Sequence, residues 1–131
     1  MKKIITLALL TMISNQTIAA CKQVDAKGTW ITYQAAFVTT SDDSHVGQCK
    51  LVVDKQGIIN PTSSVCEFVT FNTPKMPIGS GTFKVNADCS ADINIELGSL
   101  VGQVQIAKDK STYTGRFKTD TISGITNAVK Q

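Results

Sequence analysis

The residues of this chain that could carry chemistry are four cysteines, Cys21, Cys49, Cys66 and Cys89, one histidine, His45, and one tryptophan, Trp30. None of the cysteines forms a Cys-x-x-Cys pair, and His45 alone does not complete a zinc ligand set with them. A nucleophilic thiol needs a base and usually an orienting third group, and no cysteine here has either beside it. An even number of cysteines in an exported chain reads instead as two disulfides. His45 ends the run Ser41-Asp42-Asp43-Ser44-His45, where acid, hydroxyl and imidazole are neighbours in sequence. A triad needs such groups to converge from separate elements, so this run is expected to be a solvated loop. Paired acids for glycoside chemistry, a glycine-rich phosphate loop and a metal cluster have no candidates. The expectation is a binding protein rather than an enzyme, with no metal and no cofactor.

Export is read from residues 1–20, taken as a signal peptide. Lys2 and Lys3 supply the positive start, Ile4 to Ile13 a short apolar stretch, and Ser14-Asn15-Gln16-Thr17 a polar end. That apolar stretch falls short of the roughly 20 residues a spanning helix needs. Cleavage after Ala19 or Ala20 satisfies the small-residue rule and leaves 21–131 as a single domain, periplasmic or secreted. Ile18-Ala19-Ala20-Cys21 also resembles the lipobox of bacterial lipoproteins, which implies the alternative of a chain acylated at Cys21 and held at a membrane.

Loss of Lys2 and Lys3 with the signal takes 13 Lys and Arg to eleven, against 10 Asp and Glu, so the net charge falls from +3 to +1. The basic residues are scattered and do not interleave with aromatics. Nucleic acid and anionic membranes are therefore not expected partners. A domain of this size buries somewhat under about 70% of its unfolded surface, so disulfides add useful stability.

Strand signals run through almost all of the remaining chain. Gly28 to Val38 is rich in β-branched and aromatic residues, with Ile31, Tyr33, Ala35 and Phe37 in period two. Gln48 to Val53 follows, then a turn at Asp54-Lys55-Gln56-Gly57, a short Ile58-Ile59 strand, Ser64 to Phe71, and a Pro/Gly loop from Asn72 to Ser80. In the second half Phe83 and Val85, Ile93, Ile95 and Leu97, Val104 and Ile106, and Tyr113 and Phe117 each hold one face. Turns of three to five residues between these strands imply antiparallel hairpins. The tail, with Ile122, Ile125 and Val129, fits a helical stripe as well as a strand.

Short sequential hairpins with one apolar face predict an all-β fold, a single small antiparallel up-and-down β-barrel of about eight strands, with a β-sandwich as the alternative. An eight-stranded barrel is just wide enough to be filled by its own side chains or to hold one small ligand. Leu51, Val53, Phe68, Phe83, Val85, Ile93, Ile95, Val104, Ile106 and Phe117 are expected to fill it. The hairpin turning near Gly57 places Cys49 opposite Cys66, and Cys21 then pairs with Cys89 by elimination. Four cysteines allow three connectivities, so crossed pairings stay open at this point.

Gly28-Thr29-Trp30, at the head of the first strand, resembles the G-x-W opening of calycin-type barrels, the group of lipocalins and avidins. The resemblance implies a tryptophan closing one barrel end under a basic residue near the last strand, a place that Arg116 would take. It also implies a carrier of a small apolar ligand, with a cavity between Trp30, Tyr33 and Tyr113. One tryptophan is too few for an avidin-like biotin box. The order of G-x-W, Cys49-Lys50-Leu51-Val52 and Cys66 is similar to small periplasmic inhibitors of bacterial metalloproteases. Those inhibitors act through a free N-terminal arm, from which a tied Cys21 departs. Gly81 to Ser90 is similar to a GTYxVNxDCxG-like segment of small exported bacterial proteins and implies no activity.

The leading functional expectation is an exported, non-catalytic binding protein that contacts a protein or surface partner through barrel-end loops. Lys75, Met76 and Ile78, in a loop stiffened by Pro74 and Pro77, are its candidate contacts, with Trp30, Tyr33 and Arg116; the alternative is that Met76 and Ile78 fold back to cap the barrel. A protease inhibitor and a small-ligand carrier are the alternatives.

Overall fold

Strand-forming sequence dominates the computed structural model, which describes residues 20–37, 44–68 and 75–131. Residues 1–19 of the expected signal peptide, Ser41-Asp42-Asp43 of the acidic loop and Asn72-Thr73-Pro74 lie outside the described residues. Ten strands occur among those described. They are β1 (Gly28–Phe37), β2 (His45–Val53), β3 (Ile58–Ile59), β4 (Val65–Phe68), β5 (Met76–Pro77), β6 (Gly81–Val85), β7 (Ser90–Ile95), β8 (Leu100–Ile106), β9 (Thr112–Lys118) and β10 (Ser123–Lys130). The tail resolves as a strand, and short 3-10 turns occupy Gln23–Ala26 and Leu97–Ser99.

Neighbouring strands run in the order β1-β10-β9-β8-β7-β6-β3-β2, all antiparallel, and β2 pairs back to β1. Eight strands thus close into a barrel, and the β-sandwich alternative falls because closure removes the free edges that separate two sheets. The other two strands branch off β2. Val53 pairs with Ile59 of β3, while Gly47 to Lys50 pair with β4, which carries β5 on its far side. The turn read at Asp54 to Gly57 is held by the Asp54 carboxylate, which accepts from the N–H groups of Gln56 (2.9 Å) and Ile58 (2.8 Å). Gly57 there has φ +85°, a conformation that costs glycine little.

β1 presents inward the opposite face from the one its apolar spacing suggests. Trp30, Thr32, Gln34 and Ala36 are buried, while Tyr33 and Phe37 are 53% and 58% exposed. Its register with β10 runs unbroken from Trp30↔Lys130 to Phe37↔Ser123, so no bulge intervenes. The largest side chain in the strand decides the phase, because burying Trp30 removes more apolar surface from water than burying any one residue of the other face. β10 follows suit: Thr126 and Ala128 point inward, Ile125 and Val129 outward.

One end of the barrel is packed solid. Trp30, Phe83 and Tyr113 lie with ring centroids 5.2–5.8 Å apart. The Trp30 indole N–H donates to the Ala26 carbonyl at 2.8 Å, which satisfies its one polar atom. The Gln23–Ala26 turn lies against this end, where the Gln23 amide donates to the Phe83 carbonyl and accepts from the Val85 N–H. Lys130 Nζ stands 4.7 Å from the Trp30 ring centroid and donates to the Asp25 carbonyl at 2.5 Å. The covering cation is therefore Lys130 and not Arg116, whose position in β9 faces outward. Lys110 pairs with the Asp25 carboxylate at 2.8 Å.

Both disulfides take the expected pairing, Cys49–Cys66 across the hairpin and Cys21–Cys89 by elimination. Their sequence separations of 68 and 17 correspond to about 4 and about 3 kcal/mol in the chain-entropy description. Two disulfides indicate an oxidising compartment. The Cys21 sulfur is engaged with Cys89, so the lipobox alternative loses the atom it would acylate. No helix among the described residues is long and apolar enough to cross a membrane.

Candidate functional site

Inward-facing side chains change in kind with distance from the Trp30 end. Across β1, β10 and β9 the successive rows are Thr32, Ala128 and Tyr113, then Gln34, Thr126 and Gly115, then Ala36, Gly124 and Phe117. β2 adds Gly47 and β8 adds Gly102, both buried. The half of the barrel beyond the aromatic floor holds a cavity of about 510 Å³, which Gly102 lines, whereas Gly47 and Gly124 are covered by the Phe68 and Phe117 rings. Its rim is formed by Glu96 to Leu100 on one side and Thr119 to Ile122 on another.

Two kinds of wall face the space. Leu51, Phe68, Ile93, Ile95, Leu97, Leu100 and Phe117 make an apolar wall, together with the Cys49–Cys66 bridge. Opposite them, Thr32, Gln34, Thr126 and Tyr113 form a polar stripe. Burial pushes the Tyr113 phenol far above its usual value, against the lesser pull of the Thr126 and Thr32 hydroxyls beside it. Tyr113 is thus a neutral hydrogen-bonding group throughout the physiological range. A Cβ on Gly47 would come within 2.6 Å of the Phe68 ring and 3.1 Å of the Gln34 amide. Glycine at this position lets β2 pass close behind both side chains.

The charged groups stay at the rim. Glu96 Oε2 accepts from the Ser80 N–H (2.9 Å) and hydroxyl (3.0 Å), and these bonds hold its carboxyl below the usual range. Asp120 is exposed. Among the described residues no three His, Cys, Asp or Glu side chains converge as a metal site.

The expected contact residues scatter. Met76 lines the cavity, and Lys75 beside it is exposed and pairs with Glu67 at 3.1 Å. Ile78 is wholly buried, so it is part of the core rather than an exposed anchor. Trp30 lies in the packed end and does not reach the cavity. Tyr33 stands on the outer wall, and Arg116 donates to Gln103 Oε1 at 3.0 Å outside the barrel. The expected filling of the lumen is half correct. Val53, Phe83, Val104 and Ile106 pack in the core without lining the cavity, whereas Leu51, Phe68, Ile93, Ile95 and Phe117 line open space. Thr32, Gln34 and Thr126 were not expected there. Their signal in the sequence is phase, since Thr32 and Gln34 stand two and four residues after Trp30.

A second surface results from the inverted phase. On the outside, Ala35 lies between Val46 and Ile125 in register, and Ile31 beside Val129. Tyr33, Phe37, Val46, Ile125 and Val129 are each at least half exposed. The open Ser41-Asp42-Asp43-Ser44-His45 question falls mostly outside the described residues; His45 opens β2. No protein-family model and no curated protein matches this chain.

Proposed function

We propose that this protein is an exported carrier that holds one small, mainly apolar ligand inside its barrel. The observation that carries the proposal is the cavity of about 510 Å³ with its apolar wall and few polar groups. Specific small-molecule sites share that size, about 300–1,000 Å³, and that composition. A tryptophan at the closed end under a lysine agrees with the calycin-like reading of Gly28-Thr29-Trp30. Export through a signal peptide at residues 1–20, to the periplasm or outside the cell, agrees with the two disulfides. Pinning of Cys21 disfavours an inhibitor that works through a free N-terminal arm.

Titration with N-phenylnaphthylamine, a neutral apolar fluorophore, tests the carrier reading. Saturable binding of one probe per chain is expected, and Gly102→Leu should abolish it. A Cβ at Gly102 meets its nearest neighbour at 3.5 Å, so the substitution is accommodated while its side chain occupies the cavity. Absence of binding to the wild type would contradict the proposal. Intact mass with and without reduction tests the rest: an exported chain starting at Ala20 or Cys21 that gains four hydrogens on reduction.

A second reading keeps the protein partner but moves it from the loops to the barrel wall. The exposed apolar strip of β2, β1 and β10 favours it, because large exposed apolar groups in register mark contact surfaces. Tyr33→Lys with Ile125→Lys should abolish capture of such a partner and leave fluorophore binding intact.

A further inference from the structure

We infer that the inner end of the ligand is uncharged and carries a hydrogen-bonding group, and that Gln34 is the residue that anchors it; the inference rests on the carrier reading above. Gln34 is only 9% exposed and lines the cavity. Its amide offers two donors and an acceptor oxygen. Among the described residues no hydrogen bond from a protein group to that amide is seen, and no side-chain polar atom is sealed from solvent without a partner, so the amide is open to the cavity. An amide that faces a cavity is satisfied there by water, and a ligand group that displaces the water must replace its hydrogen bonds.

The neighbours explain why Gln34 and not another group of the stripe plays this part. The Thr32 and Thr126 hydroxyls both hydrogen-bond with the Tyr113 phenol. Thr126 is the direct register partner of Gln34, so the amide shares its row with Thr126 and lies one row beyond Thr32 and Tyr113. A ligand group reaching Gln34 therefore lies against hydroxyls that are already paired.

Charge is excluded by what surrounds the site. Among the described residues that line the cavity, the charged ones are Glu96 and Asp120, both acidic and both at the rim. A buried carboxylate would find no cation there, and the Glu96 carboxylate is engaged by Ser80. An alcohol, ketone or amide fits, with its hydrocarbon body against Leu51, Phe68, Ile93 and Phe117.

Displacement of bound N-phenylnaphthylamine by dodecanol, dodecanoate and dodecane at about pH 8 tests this, on the wild type and on Gln34→Leu. Dodecanol should compete at least about tenfold better than dodecanoate on the wild type. Gln34→Leu should weaken dodecanol by about tenfold or more while leaving dodecane unchanged or tighter. Gln34→Met, of equal length, serves as the second variant where leucine disturbs the wall. Wild-type preference for dodecanoate overturns the inference with no variant needed. Equal loss, or no loss, for dodecanol and dodecane on substitution also overturns it. In these outcomes the fluorophore still binds and the carrier reading stands, whereas failure of the fluorophore to bind the wild type sinks both.

Discussion

The two halves of this barrel are made by the same strands and differ in the size and polarity of what those strands point inward. At the closed end Trp30, Phe83 and Tyr113 pack ring against ring, and the Gln23–Ala26 turn, Lys130 and the Cys21–Cys89 bond lie over or beside them. In the other half Gly102 adds no side chain to a space walled by Leu51, Phe68, Ile93 and Phe117. Dense packing and open space are thus separated along the barrel axis. The closed end supplies enough packing for the open half to remain unfilled, and that division makes opposite demands on substitutions at the two ends.

Trp30→Ala strikes the closed end and should cost the most, about 3–5 kcal/mol by the precedent of buried aromatics. Urea denaturation would measure it, and Phe68→Ala at the cavity wall should cost clearly less, because space already lies beside that ring. Similar losses would erase the distinction between the halves. Next comes the paired change Cys21→Ser with Cys89→Ser, expected to cost about 4 kcal/mol against about 3 for Cys49→Ser with Cys66→Ser. The second pair should additionally loosen ligand binding, because that bridge is part of the cavity wall.

Lys130→Met removes the cation over Trp30 and should cost about 0.5–2 kcal/mol in the same assay. A smaller effect, and one with a pH signature, is expected at Asp25. Burial pushes its carboxyl up, but the hydrogen bonds from Lys110 and the Lys22 N–H, with the charges of Lys110 and Lys130, outweigh this and hold it below its usual value. A carboxyl depressed in the folded state stabilises above its unfolded pKa of about 3.9 and loses that contribution as pH falls through the folded value. The stability gap between wild type and Asp25→Asn should therefore be present at neutral pH and shrink well below about pH 4. A gap unchanged across that range would show that the Lys110 pair is not its source. Smallest of all in stability is Gly102→Leu, expected to be neutral or slightly stabilising while removing ligand binding.

Much of the fold was legible in the sequence because it is local. The Asp54–Gly57 turn, the consecutive hairpins from β6 to β9 and the Cys49–Cys66 pairing each depend on residues close in the chain. What misled was the phase of β1 and β10. Ile31, Tyr33, Ala35 and Phe37 carry more apolar surface in total than Thr32, Gln34 and Ala36, so alternation alone picks the wrong face. Only the partners of Trp30, brought from β6 and β9 by closure of the barrel, decide it. The cavity was illegible for the same reason. Gln34, Leu51, Ile93, Gly102 and Phe117, which line it, come from different strands, and nothing local says that they face one space. Lys130, too, lies one hundred residues from Trp30 and reaches it only because β10 pairs with β1.

The central claim, a packed end and an open, ligand-accepting half, is tested most directly by amide and side-chain NMR of the wild-type protein titrated with N-phenylnaphthylamine. The account predicts shifts that saturate and concentrate on Gln34, Gly102, Phe117 and Thr126, with Ala26, Trp30 and Phe83 at the closed end nearly unmoved. Shifts concentrated instead on Tyr33, Val46, Ile125 and Val129 of the outer wall, or no saturable shifts at all, would contradict it.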